Sequence, residues 1–235
     1  MTAEVLLVHG AWHGGWCFDQ VVALLTAAGV PVIAPDLPGH GGDPEPFTDL
    51  HGDAERVTAF LDQMSEVVLL GHSYGGAVIT EAGVHPAVRH LVYLSALALD
   101  HGETCSAAAV EESTGISHHG RPNLSKSMLI HDDNLSTLLP DAADCLYQDC
   151  SAADITWAMA RLGPQPMLNL SQEPRAVAWR AKPSTYVVCM ADQTIHPDLQ
   201  RILARRCTTS QEWTTGHSPF LSRPEQVRDL LVSLV

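Results

Sequence analysis

Short apolar runs recur along the chain, each separated from the next by a stretch with helical periodicity. Val5-Leu6-Leu7-Val8 and Val67-Val68-Leu69-Leu70 are continuous rather than alternating, as strands buried on both faces should be. The pattern predicts strands over 4–8, 30–34, 66–70, 89–95, 184–190 and 209–213. It predicts helices over 16–28, 50–64, 75–84, 197–205 and 224–233. Gly29 stops the first helix, and Pro224 sits in the first turn of the last. Strands alternating with crossover helices imply an α/β fold, here a mostly parallel six-stranded sheet with helices on both faces.

Residues 100–181 break this rhythm. Pro122, Pro140, Pro164, Pro166 and Pro174 punctuate helical-looking stretches at 124–131, 134–147 and 151–162. The expected organisation is a core of residues 1–99 and 182–235 with a small helical cap, 100–181, over the carboxyl edge of the sheet. Ligands bind at that edge in open α/β sheets. Met128 and Trp157 are the cap side chains expected to wall a pocket.

Composition narrows the function. The 235-residue chain is long enough for one full core. With 13 Lys+Arg against 27 Asp+Glu, the formal charge of −14 repels phosphate backbones and anionic lipid, so neither nucleic acid nor membrane is an expected partner. No apolar run approaches the roughly 20 residues that span a bilayer. Glu4 leads straight into a strand without a secretory leader, so a cytoplasmic location is expected. The six cysteines form no C-x-x-C pair, and the 13 histidines form no ligand array, which predicts reduced thiols and no metal. A homodimer is compatible with the sequence, which says nothing further about assembly.

The chemistry centres on Gly71-His72-Ser73-Tyr74-Gly75, a G-x-S-x-G run placed directly between an apolar strand and a helix. A serine on so sharp a turn sits in strained backbone, and the residues two before and two after must be tiny. Ser73 is therefore the candidate nucleophile. A serine hydroxyl needs a base to take its proton, and on this architecture the chain order is Ser, Asp, His. Asp192 follows strand 184–190, and His217 follows the last strand behind Gly216, expected to free its loop. Asp100 and Asp198 are rivals for the acid, Asp100 after an earlier strand and Asp198 as helix N-terminal charge. Asp36, in Pro35-Asp36-Leu37-Pro38-Gly39-His40-Gly41, reads as a structural turn residue. The oxyanion of acyl transfer needs two fixed N–H donors. Tyr74, after the nucleophile, and Ala11, in the Gly-rich loop His9–Trp16, are placed to supply them. Trp12 and His13 then lie near the pocket, His13 either against substrate or bonded within its loop.

Together these segments resemble the α/β-hydrolase superfamily, in particular the branch of methyl esterases and hydroxynitrile lyases with its bacterial relatives. Val8-His9-Gly10-Ala11-Trp12-His13-Gly14-Gly15-Trp16 is similar to that branch's oxyanion loop. Gly71–Gly76 is similar to its elbow, Leu146-Tyr147-Gln148-Asp149-Cys150-Ser151 to a segment of its cap, and Tyr186–Asp192 to its acid strand. The resemblance implies a cofactor-free serine esterase acting on a small-molecule ester, with Ser73, Asp192 and His217 as the triad. Lyases of the branch carry threonine and lysine where this chain has Gly10 and Ser218, which favours hydrolysis. Carbon–carbon or thioester hydrolysis, or a lyase-like step in secondary metabolism, are alternatives open to the same triad. A ligand receptor on a hydrolase scaffold is the alternative from another class.

Overall fold

The computed structural model describes residues 3–108, 115–117 and 120–235. Its main sheet contains β1 (Glu4–Val8), β2 (Val32–Ile33), β3 (Val67–Ser73), β4 (Val88–Ala96), β8 (Ser184–Cys189) and β9 (Thr209–Trp213), in the order β2-β1-β3-β4-β8-β9. Every pairing in it is parallel. Successive residues of β1 and β3 feed opposite layers. Leu6, Val8 and Leu69 meet α2 (Leu50–Leu61), α3 (Gly75–Ala82) and α8 (Pro197–Ala204) on one face. Val5, Leu7, Val68 and Leu70 meet α1 (Asp19–Ala27) and α10 (Pro224–Val232) on the other. Two covered faces explain why the strands read as continuous apolar runs.

The segment joining β4 to β8, called the cap below, departs from its all-helical expectation. It holds a three-stranded antiparallel sheet of β5 (Met128–Ile130), β6 (Leu135–Leu138) and β7 (Gln165–Pro166). Asn134 turns the β5–β6 hairpin at a φ of +61°, and Asp133 Oδ1 accepts from the Leu135 N–H at 3.1 Å. A three-residue apolar run such as Met128–Ile130 fits helix and strand equally, and the left-handed Asn decides between them here. α6 (Ala152–Met159) falls within the expected helix at 151–162, while α5 (Ala143–Leu146) is a single turn. Among the described residues no helix is long and apolar enough to cross a membrane.

Candidate active site

β3 ends on Ser73, whose φ of +53° lies in the left-handed region that side chains avoid. Surrounding backbone enforces the turn. A Cβ on Gly71 would strike the Gly75 carbonyl, and one on Gly75 would come within 2.5 Å of the Val8 oxygen and 2.6 Å of the His9 oxygen. The two glycines are thus required by close approach of the backbone. α3 starts immediately after Tyr74, aiming its first N–H groups back at the serine.

Asp192 and His217 come together from the loops after β8 and β9. His217 Nδ1 donates to Asp192 Oδ2 at 2.9 Å, and both side chains are sealed from solvent. The carboxylate is saturated with donors. Oδ1 accepts from the N–H groups of Thr194 (2.6 Å) and Ile195 (3.0 Å). Oδ2 also accepts from the Ser95 hydroxyl and from Gln200 Nε2 (2.8 Å). Ser95 and Gln200 escaped the sequence reading; neither carries a motif, and only the fold brings them to the acid. His72, inside the elbow motif, donates from Nε2 to the His217 carbonyl at 2.9 Å and thereby fixes the histidine's backbone. The rival acids are engaged elsewhere. Asp100 pairs with Arg180 at 2.7 Å, and Asp198 pairs with Arg201 on α8 at 2.9 Å.

The loop after β1 is equally well fixed. Leu37 donates its N–H to His9 Nε2 at 3.0 Å, so His9 Nδ1 carries the proton and gives it to the Gly10 carbonyl at 2.9 Å. Burial, with His40 as a second cause, holds the His9 pKa well below the ordinary histidine value. Asp36 accepts from Gly15 at 2.6 Å and Gly42 at 2.8 Å, as a turn residue should. Trp12 takes a φ of +62° and is held to the cap, its Nε1 donating to Ser136 Oγ at 3.1 Å.

A cavity of about 510 Å³ opens beside Ser73. Ala11, Trp12, Tyr74 and Met128 line it with the serine. Leu97, Met167, Leu170, Ile195 and Leu199 make its wall mostly apolar, and Asn123, Gln193 and Thr194 add neutral polar groups. Of the two remaining candidates, His13 takes the loop-bonded alternative and Trp157 lies elsewhere. His13 is buried behind the loop, donating from Nδ1 to the Ala11 carbonyl at 2.7 Å and accepting from the Tyr147 hydroxyl at 2.6 Å. Burial lowers its pKa to about 4, which keeps Nε2 free to accept. Trp157 faces the α1 side of the molecule, its ring edge-on to Trp16 at 5.2 Å and under Arg161 at 4.5 Å.

The Tyr74 hydroxyl ends in a buried polar cluster. It donates to Asp53 Oδ2 at 2.6 Å, and Asn169 Nδ2 from the cap donates to the same oxygen at 2.7 Å. Desolvation raises the Asp53 pKa, opposed by these donors.

Comparison with known proteins agrees with this architecture. A methylesterase of Arabidopsis thaliana, Methylesterase 18, is 27% identical over 97% of this chain and 95% of its own length. A carbendazim-hydrolysing esterase from a Nocardioides species is 38% identical over a shorter stretch, 45% of this chain and 46% of that protein. The crystal structure of a pyrethroid hydrolase from Sphingobium faniae superposes with a TM-score of 0.86 at 25% identity, covering 100% of this chain and 97% of that one. The alpha/beta hydrolase family model matches residues 5–230, and the chain belongs to that family.

Proposed function

We infer that this protein is a carboxylesterase that cleaves small, uncharged esters through an acyl-enzyme on Ser73. The observation that carries the reading is the Asp192–His217 pair, sealed from solvent on the two loops that follow β8 and β9, with Ser73 on its strained elbow at the end of β3. With Nδ1 committed to Asp192, Nε2 is the nitrogen left to take the Ser73 proton. Ser73 Oγ then attacks the ester carbonyl, and the N–H groups of Ala11 and Tyr74 hold the oxyanion. His217 returns the proton to the departing alcohol. Water enters by the same route, and the acid leaves. Asp192 keeps the imidazole in one tautomer and offsets its charge while it is protonated.

The apolar wall supports an ester with an apolar acid group, and the neutral polar residues at Asn123, Gln193 and Thr194 suit a modest polar substituent. The described residues of the segment 100–181 serve as the cap over this cavity, 109–114 and 118–119 lying outside the described residues. Gly10 and Ser218, standing where lyases of the branch carry threonine and lysine, support hydrolysis over cyanohydrin cleavage. Esterase relatives along the chain support the same reading. The test is hydrolysis of p-nitrophenyl acetate and of a panel of methyl esters by wild type and Ser73→Ala. Loss of at least about 10⁴-fold in kcat is expected for the variant. Equal rates in the two proteins would remove Ser73 from the reaction.

A further inference from the structure

The cap segment Leu146–Ser151 stands out in the sequence, yet none of its side chains lines the cavity. Its role shows in what it holds. The Tyr147 hydroxyl, fully buried, donates to His13 Nε2 at 2.6 Å, and the far side of that ring donates to the Ala11 carbonyl at 2.7 Å. Gln148 Nε2 donates to the Ala191 carbonyl at 2.6 Å, directly before Asp192. Asp149 Oδ2 accepts the Gly216 N–H at 2.7 Å, directly before His217. The preceding Cys145 carbonyl accepts from Thr194 Oγ1 at 3.1 Å, so the acid loop is held twice. One turn of the cap thus reaches the three loops that carry Ala11, Asp192 and His217.

We propose that Tyr147 and Asp149 are positioning residues, the cap turn Cys145–Asp149 being a clamp that sets the oxyanion loop through His13 and the histidine loop through Gly216. The proposal rests on the esterase reading for its consequence in catalysis, though not for the contacts themselves. The chemistry of each link suits a clamp. His13 stays neutral down to about pH 4, so its two nitrogens keep opposite roles, and a proton on Nδ1 leaves Nε2 as an acceptor. A carboxylate on a backbone N–H is a charge-assisted bond, stronger than a neutral one. Gly216 is explained as well. It is not left-handed, so freedom of the loop is not its use. A Cβ there would lie 2.5 Å from Asp149 Oδ1 and 2.6 Å from Gln148 Nε2. Glycine lets the clamp close on the backbone itself.

The test compares full-length Tyr147→Phe, Asp149→Ala and Asp149→Asn with wild type, using p-nitrophenyl acetate and counting reactive sites by complete fluorophosphonate labelling. A misplaced catalytic loop should lower kcat per labelled site by about 10- to 100-fold in Tyr147→Phe and Asp149→Ala, with KM nearly unchanged. Asparagine keeps an oxygen for the Gly216 N–H, so Asp149→Asn should recover most of the loss. Unchanged kcat per labelled site in Asp149→Ala, or no rescue by asparagine, would overturn the clamp. Amide hydrogen exchange at Gly216 reads the same link without catalysis. It should accelerate in Asp149→Ala and not in Asp149→Asn, and an unchanged rate in Asp149→Ala would also overturn the clamp. A wild type that neither turns over ester nor takes the fluorophosphonate would instead remove the esterase reading, and the exchange experiment would still decide the clamp.

Discussion

Ser95 donates its hydroxyl proton to the carboxylate oxygen of Asp192 that faces His217, from backbone held at a φ of +44°. It does so from a β-bulge. Along the β3–β4 ladder His72 pairs with Leu94 and Ser73 with Ala96, so Ser95 is the extra residue. Bulges re-aim side chains beside sites, and this one brings the hydroxyl within 3.2 Å of His217 Nδ1 as well.

Two substitutions separate the bond from the strain. Ser95→Ala removes a hydrogen bond to a charged group, a loss of about 2 kcal/mol, and keeps the left-handed penalty. Ser95→Gly loses the same bond but recovers about 1 kcal/mol of backbone strain. Chemical denaturation should therefore rank wild type above Ser95→Gly and Ser95→Gly above Ser95→Ala. Equal stability of the two variants would show that the bulge is unstrained.

The environment of Asp192 makes asparagine a poor isostere. All five groups around the carboxylate are donors: Thr194, Ile195, Ser95, Gln200 and His217. An amide NH₂ in either position would face donors, so Asp192→Asn should lose stability as well as activity. Loss of tautomer control alone predicts a fall of roughly 10⁴-fold in kcat/KM. A variant with wild-type melting temperature and a small kinetic effect would contradict both parts.

The sheet was legible because strands buried on both faces produce unbroken apolar runs. β2 was the most overestimated, two residues against the expected five, because only Val32 and Ile33 keep register with β1. The placement of Ser73, Asp192 and His217 at one edge of the sheet was legible because Ser73 ends β3 while Asp192 and His217 lie in the loops after β8 and β9. The cap was not. Gln165-Pro166 is a strand only because β6 lies beside it, and nothing local announces that pairing. Whether His13 faces substrate or bonds within its loop cannot be read locally, because its position behind the loop depends on Tyr147, 134 residues away. Trp157 was expected at the pocket wall and is drawn to Trp16 instead.

Tyr74 has two separable parts, the N–H proposed above for the oxyanion and a hydroxyl in the Asp53–Asn169 cluster. Tyr74→Phe keeps the first and deletes the second. It leaves a buried carboxylate short of one donor and weakens the tie to the cap through Asn169, whose Nδ2 also reaches the Tyr74 hydroxyl at 3.2 Å. A loss of about 1.5–3 kcal/mol in stability is expected, with kcat reduced far less than in Ser73→Ala. Thermal unfolding alongside esterase kinetics would distinguish the parts. A collapse of kcat at unchanged stability would mean that the hydroxyl acts in the reaction.

Three buried histidines near the site make the fold sensitive to mild acid. Burial is the leading cause that depresses His9, His13 and His72, and neighbouring imidazoles add to it. Unfolding returns each ring to water, where it takes up a proton below about pH 6.5 that the folded chain refuses. For His13 the refusal extends to about pH 4. Stability is therefore complete above pH 6.5 and is lost as pH falls toward 4, by about 1.4 kcal/mol per pH unit for each histidine at most. Asp53, raised by burial, acts in the opposite sense, while Asp49 and Glu103, held low, reinforce the loss at still lower pH. Urea midpoints should fall steadily between pH 7 and pH 5, before most surface carboxylates titrate. Identical midpoints at those two values would mean that the rings accept protons without unfolding, and would break the assignment of His13 as a neutral link between Tyr147 and Ala11.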